Sequence, residues 1–183
     1  MRNKLILTLI IFILVGSMTS PVFAQPGFGM GGMGPGMMEA VNSEYEFLIK
    51  MIPHHEEAVY NAKILRDNTN RKKMKKFAKD IIEIQTNEIE EMKKYLNKWY
   101  PNKTNNYEYQ PMMGDYEGLE GEELDYHFLK DMIFHHMGAV MMSQQFIMKG
   151  LDEHKEVYLL ATSIRNSQRQ EIFMMREWID NWY

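Results

Sequence analysis

Residues 45–60 read YEFLIKMIPHHEEAVY, and residues 126–141 read YHFLKDMIFHHMGAVM. Tyr, Phe-Leu, Met-Ile, His-His and Ala-Val recur at a constant offset of 81 residues. In the second copy Phe128, Met132, His135, Ala139, Met142 and Phe146 follow at alternating steps of four and three, the spacing of a core-facing helical stripe. The adjacent line, Leu129, Ile133, His136, Val140, Ser143 and Ile147, is also mostly apolar. The first copy carries the same seam as Phe47, Met51, His54, Ala58, Asn61 and Leu65. Both histidines of each pair therefore flank a buried stripe. Neighbouring helical residues project about 100° apart, so one histidine can face its own hairpin partner and the other the second hairpin.

The following segments repeat as well. Gln85, Glu88, Ile89 and Met92 recur as Gln168, Glu171, Ile172 and Met175, and Trp99-Tyr100 as Trp182-Tyr183, now at an offset of 83. Two amphipathic helical hairpins without a strand signal predict an all-α, four-helix bundle built from two duplicated antiparallel hairpins. The copies are expected to pack on one another or in a homodimer. The first hairpin repeat covers residues 43–100 and the second 122–183, with a loop-like linker at 101–121 rich in Asn, Gly and Pro. Ser43 with Glu46 reads as a capping box for a helix over 44–66. A turn at 67–70 precedes a second helix over 71–99, which Pro101 stops. The third helix is expected over 122–149 with Gly150 as its stop, and Asp152 as the cap of the fourth. Pro53, replaced by Phe134 in the second copy, frees the Ile49 carbonyl and is expected to bend the first helix.

Ahead of the repeats, residues 1–24 read as an export signal: Arg2 and Lys4, an apolar run from Leu5 to Val15, and a Val22-Phe23-Ala24 cleavage site. The run is shorter than the roughly 20 residues of a membrane span, so cleavage is favoured over anchoring, giving a periplasmic or secreted location with no membrane attachment afterwards. Removing Arg2 and Lys4 changes the net charge from −4 to −6, which speaks against nucleic acid as a partner. Residues 25–42 form a Gly/Met-rich arm expected to be flexible. Its Met30, Met33, Met37 and Met38 sit in a glycine matrix that offers no core to pack against, so a thioether arm that captures or passes on a soft ion stands beside a plain spacer.

The chain has no cysteine and 18 methionines. That excludes thiol nucleophiles, iron–sulfur clusters and c-type haem attachment. Imidazole and thioether are metal ligands, and thioether selects Cu(I). The candidate ligands are Met51, His54, His55, Met132, His135, His136 and Met142, followed by Glu88, Met92, Glu171 and Met175. Counting outward from turns near residues 69 and 151 puts His54 level with Gln85, Met51 with Glu88, His135 with Gln168 and Met132 with Glu171. A Gln or Glu holding the free nitrogen of a ligating histidine is a common arrangement. A metal-free His-Gln-Glu packing network in a structural or chaperone-like bundle is the competing reading. No Glu-x-x-His pattern supports a di-iron centre, and zinc would favour carboxylates over so many thioethers. Copper fits best, as Cu(I) through Met and His or Cu(II) through His and Glu, with Ag(I) a mimic. No Gly-x-Ser-x-Gly elbow or phosphate loop is present, so no enzyme is expected. The basic run Arg71-Lys72-Lys73 with Lys75-Lys76 reads either as a solvated face or as a contact for an acidic partner.

Phe-Leu-x-x-Met-Ile-x-His-His-x-x-Ala-Val, followed by Gln-x-x-Glu-Ile-x-x-Met, resembles the domain-of-unknown-function 305 family, over residues 44–100 and 125–183. Its members include CopM-like exported copper-binding proteins. The resemblance implies a ferritin-like four-helix bundle, copper binding and a part in copper tolerance or trafficking, with a copper export or delivery protein as partner. It places Met51, His54, His55, Met132, His135 and His136 at the family's Met and His positions. Met142 matches a further family methionine, which Asn61 replaces in the first copy, implying different binding there.

Overall fold

Ser43 opens the first helix by accepting the Glu46 amide on Oγ at 3.1 Å, which satisfies one of the donors a helix start leaves unpaired. The Glu46 carboxylate reaches back to the Asn42 amide at 3.0 Å, one residue before the position a reciprocal capping box uses. The computed structural model describes residues 40–183. Among them lie four helices and no strand: α1 (Glu44–Asn68), α2 (Lys72–Trp99), α3 (Gly121–Met148) and α4 (Lys155–Trp182). The signal segment and most of the methionine arm, including Met30, Met33, Met37 and Met38, lie outside the described residues. No described helix is long and apolar enough to cross a membrane.

The helix ends follow local chemistry. Gly150 adopts φ +60°, and the Leu151 amide bonds the Phe146 carbonyl while the Gly150 amide bonds that of Ile147, a Schellman stop. Asp152 does not cap α4. His154 holds the cap position without a side-chain bond to the helix's own amides; instead its Nδ1 lies 2.7 Å from Glu44 of α1, which also accepts the Glu153 and His154 amides, each at 2.8 Å. A buried carboxylate from another helix thus fixes the segment that enters α4. α1 runs through Pro53 without interruption.

α1 pairs with α2 and α3 with α4 as antiparallel hairpins, and the hairpins meet chiefly through α1 and α3. Phe47 stacks on Phe146 with ring centroids 4.7 Å apart, and further along His54 lies on His135. Rising numbers on α1 meet falling numbers on α3, so these two helices are also antiparallel.

The apolar core is divided. One cluster gathers Phe47, Leu48 and Met51 with Ile89, Met92, Ala139, Met142, Phe146, Leu160 and Ile164. The other gathers Leu65, Phe77, Ile81, Leu124, Phe128, Met132, Ile172, Met175 and Trp178. Between them on the four helices lie His54 and His55, Gln85, His135 and His136, and Gln168, all buried. A polar layer therefore crosses the bundle at mid-height.

Arg71 turns inward to the second hairpin. It pairs with Glu122 at 2.8 Å and lies 4.5 Å above the Trp182 ring, so this member of the basic run serves an intramolecular contact.

Candidate metal centre

Each histidine pair splits its duties across the layer. His55 Nε2 lies 2.9 Å from Glu88 of α2, and His136 Nε2 lies 2.6 Å from Glu171 of α4. The other two rings leave their hairpins and meet one another: the His54 and His135 centroids are 3.7 Å apart with planes tilted by 35°. The steps between adjacent residues on α1 and α3 impose this division.

Counting residues set the height of these partners but not their contacts. The carboxylate that holds a histidine nitrogen is Glu88 for His55 and Glu171 for His136, the second histidine of each pair. Gln85 and Gln168 are level with the layer, yet neither bonds His54 or His135: Gln85 Oε1, both polar atoms of Gln168 and both ring nitrogens of His54 and His135 lack a hydrogen-bond partner. Rise along the helix fixes height, but side-chain direction decides contact.

Among the buried side-chain nitrogens and oxygens without a partner, six are ring nitrogens of these four histidines: both of His54 and His135, and the Nδ1 of His55 and His136. Buried polar atoms normally find partners because leaving them bare costs about 1–3 kcal/mol each. A concentration of bare lone pairs beside thioethers fits the ligand set of a soft cation. Among the described residues no three His, Asp or Glu side chains converge as a ready cage, so imidazole with thioether is the chemistry on offer.

Protonation keeps the central rings available. Burial, then the neighbouring His135, His55 and His136, holds His54 well below the ordinary histidine value of 6.5. Burial also lowers His135, and Glu57 partly opposes it. Neutral imidazole is the form that binds metal.

Of the other candidate ligands, Met51, Met92 and Met142 pack in the first apolar cluster, and Met132 and Met175 in the second. Met142 also lines a small cleft with Lys50, His54, Tyr107, Tyr109, Gln110 and Met112. Asn61, at the position of Met142, is buried and turns its amide to the Glu57 carbonyl at 3.0 Å.

Glu57 is a residue that sequence reasoning missed. Its carboxylate accepts the Tyr109 hydroxyl, the Met112 amide at 2.9 Å and the Met113 amide at 2.9 Å. It also stands 3.3 Å from His135 Nε2, a close approach without hydrogen-bond alignment. Burial would raise its pKa, but the His135 ring, the Tyr109 hydroxyl and the Met113 amide outweigh that and hold the carboxyl below 4.5. Asp131 of α3 acts alongside it, accepting the Gly114 amide and the Tyr116 hydroxyl, both at 3.0 Å. The linker is therefore bound down by one carboxylate from each hairpin. Met112 was missed too. The signal was its setting: Pro111-Met112-Met113-Gly114 repeats the Gly/Pro-with-Met composition of Gly36-Met37-Met38 in the arm.

The profile of the family described as a domain of unknown function (DUF305) matches residues 44–179, both hairpins and the linker between them. The chain belongs to the DUF305 family. Among solved structures similar to this DUF305 chain is CopM in the Cu(II)-bound form, with TM-score 0.69, 31% identity, and coverage of 77% of this chain and 98% of that one. CopM in the Cu(I)-bound form matches with the same TM-score and identity, covering 78% of this chain and 99% of that one. A DUF305 putative secreted protein from Streptomyces coelicolor matches with TM-score 0.68 and 25% identity, over 76% of this chain and 93% of that one. No functionally curated protein matches.

Proposed function

We propose that this DUF305 protein is an exported, non-enzymatic copper-binding protein that holds or buffers the ion through histidine and methionine, for copper tolerance or trafficking. The observation that carries the reading is the set of six imidazole nitrogens without a hydrogen bond, one of them His135 Nε2 beside the Glu57 carboxylate, in a layer between two apolar clusters. A layer serving packing alone would gain from closing on itself, since each bare buried group costs stability. Here the Glu88 and Glu171 carboxylates hold one nitrogen of His55 and His136 and leave the other bare, the support usual behind a ligating histidine.

His54, His55, His135 and His136 are the imidazole donors, joined by Met142, which shares a cleft with His54. Met51, Met92, Met132 and Met175 surround the layer from the apolar clusters. Similarity to CopM, crystallised with Cu(I), Cu(II) and Ag, supports copper as the cargo and Ag(I) as its mimic. The reading of residues 1–24 as an export signal supports a place outside the cytoplasm, where the arm methionines would collect or hand over the ion.

The test is Cu(I) titration of the mature chain against a chromogenic competitor, with a peptide of residues 25–42 as reference. The His54/His55/His135/His136 quadruple alanine variant should retain only the binding of the arm. Equal binding by variant and parent would refute the assignment.

A further inference from the structure

We propose that the linker supplies a ligand: the Met112 thioether, with Met142 and His54, forms a three-donor site for one monovalent soft ion. The proposal rests on the copper reading above and adds to it a donor from outside the helical repeats. Three observations converge.

The first is a close approach that a glycine permits. A Cβ built on Gly138 would lie 3.1 Å from His54 Nε2, 3.3 Å from the Met112 methyl and 3.5 Å from Met112 Sδ. A nitrogen and a thioether, from segments more than fifty residues apart in sequence, thus converge on the same point beside α3, and a side chain there would crowd both. The second is the bare, fully buried His54 ring, with neither nitrogen bonded. The third is the cleft that joins His54, Met112 and Met142, with a volume of about 10 Å³, the room of a single water molecule and hence of a single ion.

The donor set selects the charge of that ion. An imidazole that ligates through its lone pair is neutral, and thioethers carry no charge. No carboxylate lines the cleft, and its one cationic side chain, Lys50, bonds the Ala40 carbonyl at 2.7 Å. A divalent ion would leave two uncompensated charges buried, a monovalent ion one, and the cost of burying charge climbs steeply. One imidazole and two thioethers also suit Cu(I) and Ag(I) by softness. Glu57 positions the third donor, because it accepts the Met112 backbone amide at 2.9 Å.

The experiment uses the mature chain with Ag(I) alone as probe, following methionine methyl and histidine ring signals by NMR, with affinity for Cu(I) measured by competition. The methyl of Met112, assigned from Met112→Leu, should shift together with the His54 ring. Met112→Leu should weaken that site by at least about tenfold, the lower bound for loss of even a supporting group. Gly138→Ala, which crowds His54 Nε2 and the Met112 thioether, should weaken it while Met112 remains present. A Met112 methyl that stays still while His54 responds, with Cu(I) affinity unchanged in Met112→Leu, overturns this inference and leaves the copper reading standing. Failure of the parent chain to bind beyond the arm peptide overturns both.

Discussion

Glu57 and Gly138 stand at the same position of the two repeats, and each lies beside the ring that the other repeat contributes. Glu57 approaches His135 Nε2 at 3.3 Å, while Gly138 borders His54 Nε2. The facing rings are thus related by the duplication, but their surroundings are not: one has an anion at its nitrogen, the other a glycine that lets the Met112 thioether close in. The duplicated fold supplies two similar imidazoles, and one substitution between copies makes them chemically distinct.

Removing the carboxylates behind His55 and His136 should weaken copper binding without unfolding the bundle. Glu88→Gln and Glu171→Gln are each expected to lower Cu(I) affinity by about 10- to 100-fold, read by competitor titration. Glu56→Gln, on an exposed side chain paired with Lys93, serves as control and should change nothing. Unaltered affinity in both test variants would mean that the His55 and His136 rings are not ligands.

The metal-free protein should lose stability as pH falls from about 7.5 to about 5.5. His54 and His135 have folded-state values below 6.5. Above that value neither state takes up a proton there and the stability is intact. Below it the unfolded chain binds protons first, which costs at most about 1.4 kcal/mol per pH unit for each ring, until the folded rings protonate. Glu57, depressed below 4.5, acts in the same direction at lower pH, its stabilisation being lost as pH falls through its folded value. Denaturant midpoints across the range measure the effect; a flat profile contradicts the depressed values.

Glu57→Ala should destabilise the fold by at least about 2 kcal/mol, since it strands the Met112 and Met113 amides it now satisfies. Limited proteolysis should then cut within residues 101–120 before either hairpin. A linker cleaved no faster than in the parent would show that Asp131 suffices to hold it.

Gly150→Ala tests the turn between α3 and α4. No atom lies within 4 Å of the added Cβ, so the loss should be the left-handed backbone cost alone, about 1–2 kcal/mol by thermal or chemical denaturation. A much larger loss would require a contact that this turn does not contain.

The period of the apolar residues made the four helices and both hairpins legible, because burial and helical spacing are local properties of the chain. The height of Gln85 and Gln168 was legible for the same reason. What escaped was direction and reach. Neither the stacking of His54 on His135 nor the choice of Glu88 by His55 follows from counting within one hairpin, since both depend on how side chains lean across an interface. Asp152 looked like a cap, yet α4 begins without a side-chain cap, and a carboxylate more than a hundred residues earlier holds the amides just ahead of it. Met112 and Glu57 escaped because the linker has no period, and its binding to the bundle runs through backbone amides that every residue type offers.

A core parted at its waist has a thermal consequence. The amides around Phe47–Phe146 and around Phe77–Phe128 lie within separate apolar blocks, whereas those flanking the histidines have bare polar neighbours on the inside. Native-state hydrogen exchange should therefore find two slow zones with a faster girdle between them. A cation bridging α1 and α3 would slow that girdle most, fastening the two ends into a single cooperative unit.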